Sequence, residues 1–144
     1  MPSPRTLARA AALQVLYAGE LLEHPIDTSH VHALQKDDML VRGLHGELFL
    51  ELVKGCLAQR DTLKERLAPF LDRPMAQLDP VERCILLIAA HELTTAPLVP
   101  ARVVINEAIN LAKAFGAQDS HHYINGVLDA MAKVFRSTEL ASRT

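Results

Sequence analysis

Seven histidines, one Asp-Ser-His run and two arginines four residues apart are the side chains here whose types and spacing could do chemistry. His30-Val31-His32 and His121-His122 could each supply two ligands to a metal ion. No cysteine and no Glu-x-x-His companion stands at a helical spacing that would complete such a site. Asp119-Ser120-His121 has the residue types of a hydrolytic triad, yet neighbours on one helical turn do not by themselves give the geometry of nucleophile, base and orienting acid. A helix cap accounts for them more simply. His91-Glu92 lacks the second histidine of a zinc protease, and no glycine-rich loop is present to cradle phosphate. The expectation is a chain without catalytic residues, metal or cofactor.

Arg5 and Arg9 share one face if the segment around them is helical. Guanidinium groups there could contact RNA phosphates or stack on bases, and the alternative is a solvated helix end. Phe70 and Tyr123 stand at core-like helical spacing. Their alternative is a partly exposed ring on which an unpaired base stacks, a contact worth about 1–3 kcal/mol per base.

Such residues need elements to position them, and the composition says which kind. With 144 residues, 49% of them hydrophobic and 22% charged, one self-sufficient core is the default. Four phenylalanines, two tyrosines, no tryptophan and abundant Ala and Leu favour helix packing over sheets. The formal net charge of -2 offers a polyanion no general attraction, so nucleic-acid binding must come from a local patch or from a partner's charge. Cys56 and Cys84 sit in apolar helical patterns and read as buried free thiols, as suits a reducing cytosol. No apolar run approaches the roughly 20 residues needed to cross a bilayer, and no signal peptide opens the chain. A cytoplasmic protein is expected.

A first helix is predicted from about Arg5 to Leu22, apolar around most of its circumference, with only its first turn or two meeting solvent. Residues 23–45 read as a long loop with room for a short helix. Leu48, Phe49, Leu52, Val53, Cys56 and Leu57 then mark an amphipathic helix. Leu63, Leu67, Phe70 and Leu71 mark another, whose last turn Pro69 should fray or kink. Asp79-Pro80-Val81-Glu82 is the best helix start: an N-cap acid, proline at the first helical position and an acid two further on, a capping box with Asp in place of Ser or Thr. That helix should run to about Leu93 and, being apolar on most sides, form the centre of the core. Pro97 and Pro100 break the chain after it. Val103–Phe115 follows, stopped by Gly116 as a C-terminal cap, and then Ser120–Phe135, capped by Asp119 or Ser120. A mobile tail is expected over about 137–144.

Three stretches resemble the NusB family of transcription antitermination factors. Arg5-Thr-Leu-Ala-Arg9-Ala-Ala-Ala-Leu-Gln14-Val-Leu-Tyr17 is similar to its arginine-rich first helix, and Leu78-Asp-Pro-Val-Glu82-Arg83 with Ile85 to Leu93 to its central helix. Most specific is Val99-Pro100 with Val104-Ile105-Asn106-Glu107-Ala108-Ile109, then Phe115-Gly116, Asp119-Ser120-His121 and Ile124-Asn125-Gly126-Val127-Leu128-Asp129. The resemblance runs from Arg5 to about Lys133. It implies an all-α fold of about seven helices in two packed subdomains, forming one RNA-binding helical domain over the chain. The same resemblance implies that the chain binds the boxA element of ribosomal RNA transcripts as a heterodimer with NusE, a small-subunit ribosomal protein, within a complex that includes RNA polymerase and other Nus factors.

Carried over by position, Arg5, Arg9, Phe70, Asp119, His122 and Tyr123 match residues at or beside the family's RNA surface, and Tyr17 and Glu82 match residues that hold NusE. For Tyr17 a core aromatic, and for Glu82 a capping acid, are the alternatives. Thr6, Leu7 and His122 stand where many relatives carry a cation. Each such loss removes a potential phosphate contact, so the isolated chain is expected to bind RNA weakly, with a basic partner supplying much of the affinity. Other readings are a NusB-like module serving ribosomal RNA processing or modification, and a helical protein-interaction module that never meets RNA. Monomer and homodimer both stay open.

Overall fold

Helices begin where the sequence supplies caps. In the computed structural model, which describes residues 2–22 and 45–141, the first helix, α1, spans Pro4–Leu21. Ser3 Oγ accepts from the Thr6 amide at 3.1 Å, and Pro4 occupies the first turn, where a missing N–H leaves nothing unsatisfied. The next described helix, α2, spans Gly46–Ala58 and is capped by His45, whose Nδ1 accepts from the Leu48 amide at 3.1 Å. The His45 amide in turn donates to the Pro4 carbonyl at 3.0 Å. Residues 23–44, where a loop is predicted, lie outside the described residues.

The chain divides into two compact units, Met1–Arg60 and Asp61–Thr144. In the first, α1 packs on α2. Ala8, Ala12, Leu13 and Leu16 from one helix and Phe49, Leu52, Val53 and Cys56 from the other are buried, and Glu20 pairs with Arg60. Arg5 is exposed. Arg9 corrects the expectation that the two arginines share a solvent-facing turn: it is only 2% exposed and is engaged within the chain.

The second unit is built around one helix. It contains α3 (Arg60–Leu67, but for its first residue), α4 (Pro80–Thr95), α5 (Ala101–Phe115), α6 (Ser120–Phe135) and α7 (Ser137–Ala141), with short 3₁₀ turns at Ala68–Phe70 and Met75–Gln77. Every residue from Cys84 to Leu93 is buried, because α4 packs on both α5 and α6. That is the central helix the apolar circumference predicts. Asp79 Oδ1 accepts from the Val81 amide at 2.9 Å and supplies the acid's half of the expected capping box. Pro69 tightens the chain after α3 into the Ala68–Phe70 turn, the form its missing donor takes here.

Gly116 follows α5 as predicted, but for another reason than a left-handed cap. Its φ is -84°, open to any residue, whereas a Cβ there would stand 2.4 Å from Ser120 Oγ and 2.7 Å from the Ala112 carbonyl oxygen. The last turn of α5 and the start of α6 together leave no room for a Cβ. Residues 137–141 of the expected tail are helical, and Glu139 Oε2 accepts from the Ala101 amide at 2.9 Å, capping α5, whose N-cap Pro100 has no side-chain bond to offer.

All seven described helices and the two 3₁₀ turns, with no strand among the described residues, make the fold all-α as expected. Cys56 and Cys84 are buried thiols. Among the described residues no helix is long and apolar enough to cross a membrane.

Candidate nucleic-acid interface

The second unit brings the start of α6 against the 3₁₀ turn that ends at Phe70. Phe70 is half-buried in that turn, and the chain then leaves it extended at Leu71, with φ -93° and ψ 148°, so that Asp72 and Arg73 emerge exposed. Tyr123 lies on the first turn of α6, partly buried. Its hydroxyl donates to Asp72 Oδ1 at 2.9 Å and lies 3.4 Å from the Asp72 amide, which donates to it. Arg73 grips the same carboxylate with two donors, Nε to Oδ1 at 2.8 Å and Nη2 to Oδ2 at 3.1 Å. Its guanidinium carbon stands 5.2 Å from the centre of the Tyr123 ring, within cation–π range.

The electrostatics follow from these contacts. Arg73's hydrogen bonds, and after them the Tyr123 hydroxyl, bring the Asp72 carboxyl down to about 2 from an ordinary 3.8. Burial pushes the Tyr123 phenol up. Glu82, on the first turn of α4, is raised by burial first and by the Asp79 charge second, while Arg73 pulls it back. Glu82 is therefore within electrostatic reach of the Asp72–Arg73 pair. Arg83, beside it, is occupied structurally: Nη1 donates to the carbonyls of Met75, Ala76 and Leu78 at 3.3, 3.4 and 3.3 Å, binding the second 3₁₀ turn to α4.

Asp119 and His122 also stand at the start of α6, both exposed. Asp119 is the N-cap by position, but no side-chain bond caps the helix; the residue instead takes a left-handed conformation, φ 67°, which Asp tolerates better than most. Ser120 is buried and its Oγ has no hydrogen-bond partner among the described residues, so the Asp-Ser-His run does not form a nucleophile–base pair. The rings of His121 and His122 lie 4.1 Å apart, tilted by 37°. Among the described residues no three His, Cys, Asp or Glu side chains gather as a metal site; His30 and His32 fall outside them.

Of the residues singled out in the sequence, Phe70, Glu82, Asp119, His122 and Tyr123 thus belong to the second unit. Arg5, Arg9 and the partly buried Tyr17 belong to the first. Sequence reasoning misses Asp72 and Arg73 as site residues. Their only local signal is an arginine three positions after an aromatic, and what gives them meaning is a tyrosine 51 residues away from Asp72.

The family model described as NusB family matches residues 6–133. Among curated relatives, the transcription antitermination protein NusB of Nitrosococcus oceani is 46% identical over 143 residues, which cover 99% of this chain and 95% of that one. Its namesake from Idiomarina loihiensis is 43% identical over 137 residues, 95% of this chain and 97% of its own. The solved structure of T. maritima NusB (space group P3121, form 2) superposes with a TM-score of 0.73 at 25% identity, covering 93% of this chain and 94% of that one.

Proposed function

The chain belongs to the NusB family, and from that premise we propose that it is a transcription antitermination factor that binds boxA RNA of ribosomal RNA transcripts as a heterodimer with NusE. The observation that carries this reading is near-full-length similarity to relatives that bear the name transcription antitermination protein NusB. Its action is assembly: the pair bound to RNA joins RNA polymerase and other Nus factors, and no covalent step is required of this chain. The chain works in the cytoplasm, where transcripts are made.

On this reading the RNA contacts are Arg5 in the first unit and Phe70, Asp119, His122 and Tyr123 in the second, while Tyr17 and Glu82 serve NusE. Tyr123 supports the assignment best. It is a partly exposed aromatic with an arginine beside its ring, the pairing of side chains on which unpaired bases stack. Arg9 enters the same proposal with a condition: its guanidinium is buried, so direct contact with RNA requires the side chain to leave the place it holds. Charge reversal at Arg5 is therefore the clean probe of the first helix, since reversal at Arg9 would also bury an unmatched acid.

The test is a titration of labelled boxA RNA at low salt, with the chain alone and with NusE present. Weak binding alone and much tighter binding with NusE is expected, weakened again by Arg5→Glu. Tight binding by the isolated chain that NusE does not improve contradicts the proposal.

A further inference from the structure

We propose that the Arg73 guanidinium, clamped by Asp72 beside the Tyr123 ring, is a preformed stacking platform for one unpaired RNA base and so a further recognition residue. This deepens the reading above and rests on Tyr123 facing RNA.

A surface arginine ordinarily samples many rotamers, and fixing it for a ligand carries an entropic penalty. Arg73 is already oriented by two hydrogen bonds. Asp72 holds both Nε and Nη2, which determines the orientation of the guanidinium plane, and the Tyr123 ring lies beside it at 5.2 Å. The Tyr123 hydroxyl closes the arrangement by donating to the same carboxylate. Because the carboxyl is lowered to about 2, the clamp stays charged at every pH at which RNA is handled. The side chain nevertheless remains 48% exposed, so the plane is held without being covered. A recognition group ordered before its ligand arrives loses less on binding than one ordered by it.

Charge indicates which part of the RNA fits. Asp72 neutralises Arg73 locally, so the pair draws a phosphate, or an acidic peptide, far less than a lone arginine would. What it presents is a flat, oriented, polarisable guanidinium backed by the aromatic ring it lies over. Nucleobases stack on guanidinium planes and on tyrosine alike, whatever their sequence. An unpaired base is the ligand that uses both features.

The test uses the full chain with NusE and a fluorescein-labelled single-stranded RNA carrying boxA, with Kd measured across a salt series. Arg73→Ala and Arg73→Lys should each raise Kd about tenfold, because lysine keeps the charge but has no plane. The salt slope for Arg73→Lys should match that of the unmodified chain. Asp72→Ala should also weaken binding, although deleting an acid would strengthen it if charge alone mattered. Unchanged affinity in Arg73→Lys, or tighter binding in Asp72→Ala, overturns the proposal. So does a loss of NusE capture by Arg73→Ala with RNA affinity retained, which would assign the cluster to the protein partner. Tyr123→Ala separates the two levels: weakening there with both Arg73 variants unaffected sinks this inference alone, whereas no effect from Tyr123→Ala or Arg5→Glu sinks the RNA-surface reading with it.

Discussion

Asp72 is an exposed carboxylate on which Arg73, through two donors, and the Tyr123 hydroxyl converge. Its acidity is depressed to about 2 in the folded chain against 3.8 ordinarily, which means the folded state resists protonation more than the unfolded one. The stabilisation is therefore present in full above the unfolded value, near pH 4, and is lost as pH falls through about 2. Urea unfolding of the unmodified chain and of Asp72→Asn should show a gap at pH 5 that closes by pH 2. The group is fully solvated, so the gap should be small and should shrink with added salt. A gap independent of pH would mean that the charge of Asp72 is not what the fold uses. Arg5 and Arg9 make a second point at this scale: identical residues one helical turn apart differ wholly in exposure.

Two residues set how elements of the second unit meet. Gly116 allows α5 and α6 to close on each other, and in Gly116→Ala the added methyl would press both on Ser120 Oγ and on the Ala112 carbonyl. Ser120 can rotate, but a helix carbonyl cannot, so a loss of about 1–3 kcal/mol is expected from thermal unfolding. Arg136, near the end of α6, is only 6% exposed and donates to the carbonyls of Glu92, Leu93, Ala96 and Val99 at 3.1, 2.9, 2.9 and 2.9 Å. These are carbonyls at and beyond the C-terminus of α4; those of Glu92 and Ala96 also accept from the Ala96 and Val99 amides, each at 3.0 Å, so Arg136 adds a second donor there. It also pairs with Glu139 at 2.7 Å, and Glu139 caps α5, so one guanidinium joins four helices. Arg136→Met should cost about 3–5 kcal/mol, since it removes the Arg136 donor from the buried Leu93 carbonyl and leaves Glu139 without its cation. Arg136→Lys should recover little, because one ammonium cannot reproduce the planar fork. Recovery of most of the stability by lysine would show that charge, not geometry, is what α4 requires.

At the scale of the whole molecule the net charge of -2 decides how RNA can be bound. Each phosphate neutralised on a single strand contributes about 0.7 to the dependence of log affinity on log salt. With Arg5 exposed, Arg9 buried and Arg73 matched by Asp72, the proposed RNA contacts among the described residues include few uncompensated cations. Its slope should stay below about 1.5, the value for two phosphates. Addition of NusE should steepen that slope as well as raise affinity, if the partner brings the cations. An unchanged slope with improved affinity would point instead to new base contacts.

The amino-acid sequence by itself determined the helices and the family. Caps and periodicity are local, so Pro4, Asp79-Pro80 and Gly116 mark boundaries that the structure reproduces to within a residue or two, and Ser120–Phe135 is reproduced at both ends. Phe70 and Tyr123 read from their helical spacing as core aromatics, and the structure leaves both only half-buried. Only the tertiary structure decided which polar groups those elements would bring together. The burial of Arg9, the clamp that joins Asp72 and Arg73 to Tyr123, and the reach of Arg136 to the end of α4 depend on partners distant in sequence. A charged side chain has no periodicity to betray its partner. Its role is set by which acceptor the packed backbone delivers to it, and that is a property of the fold.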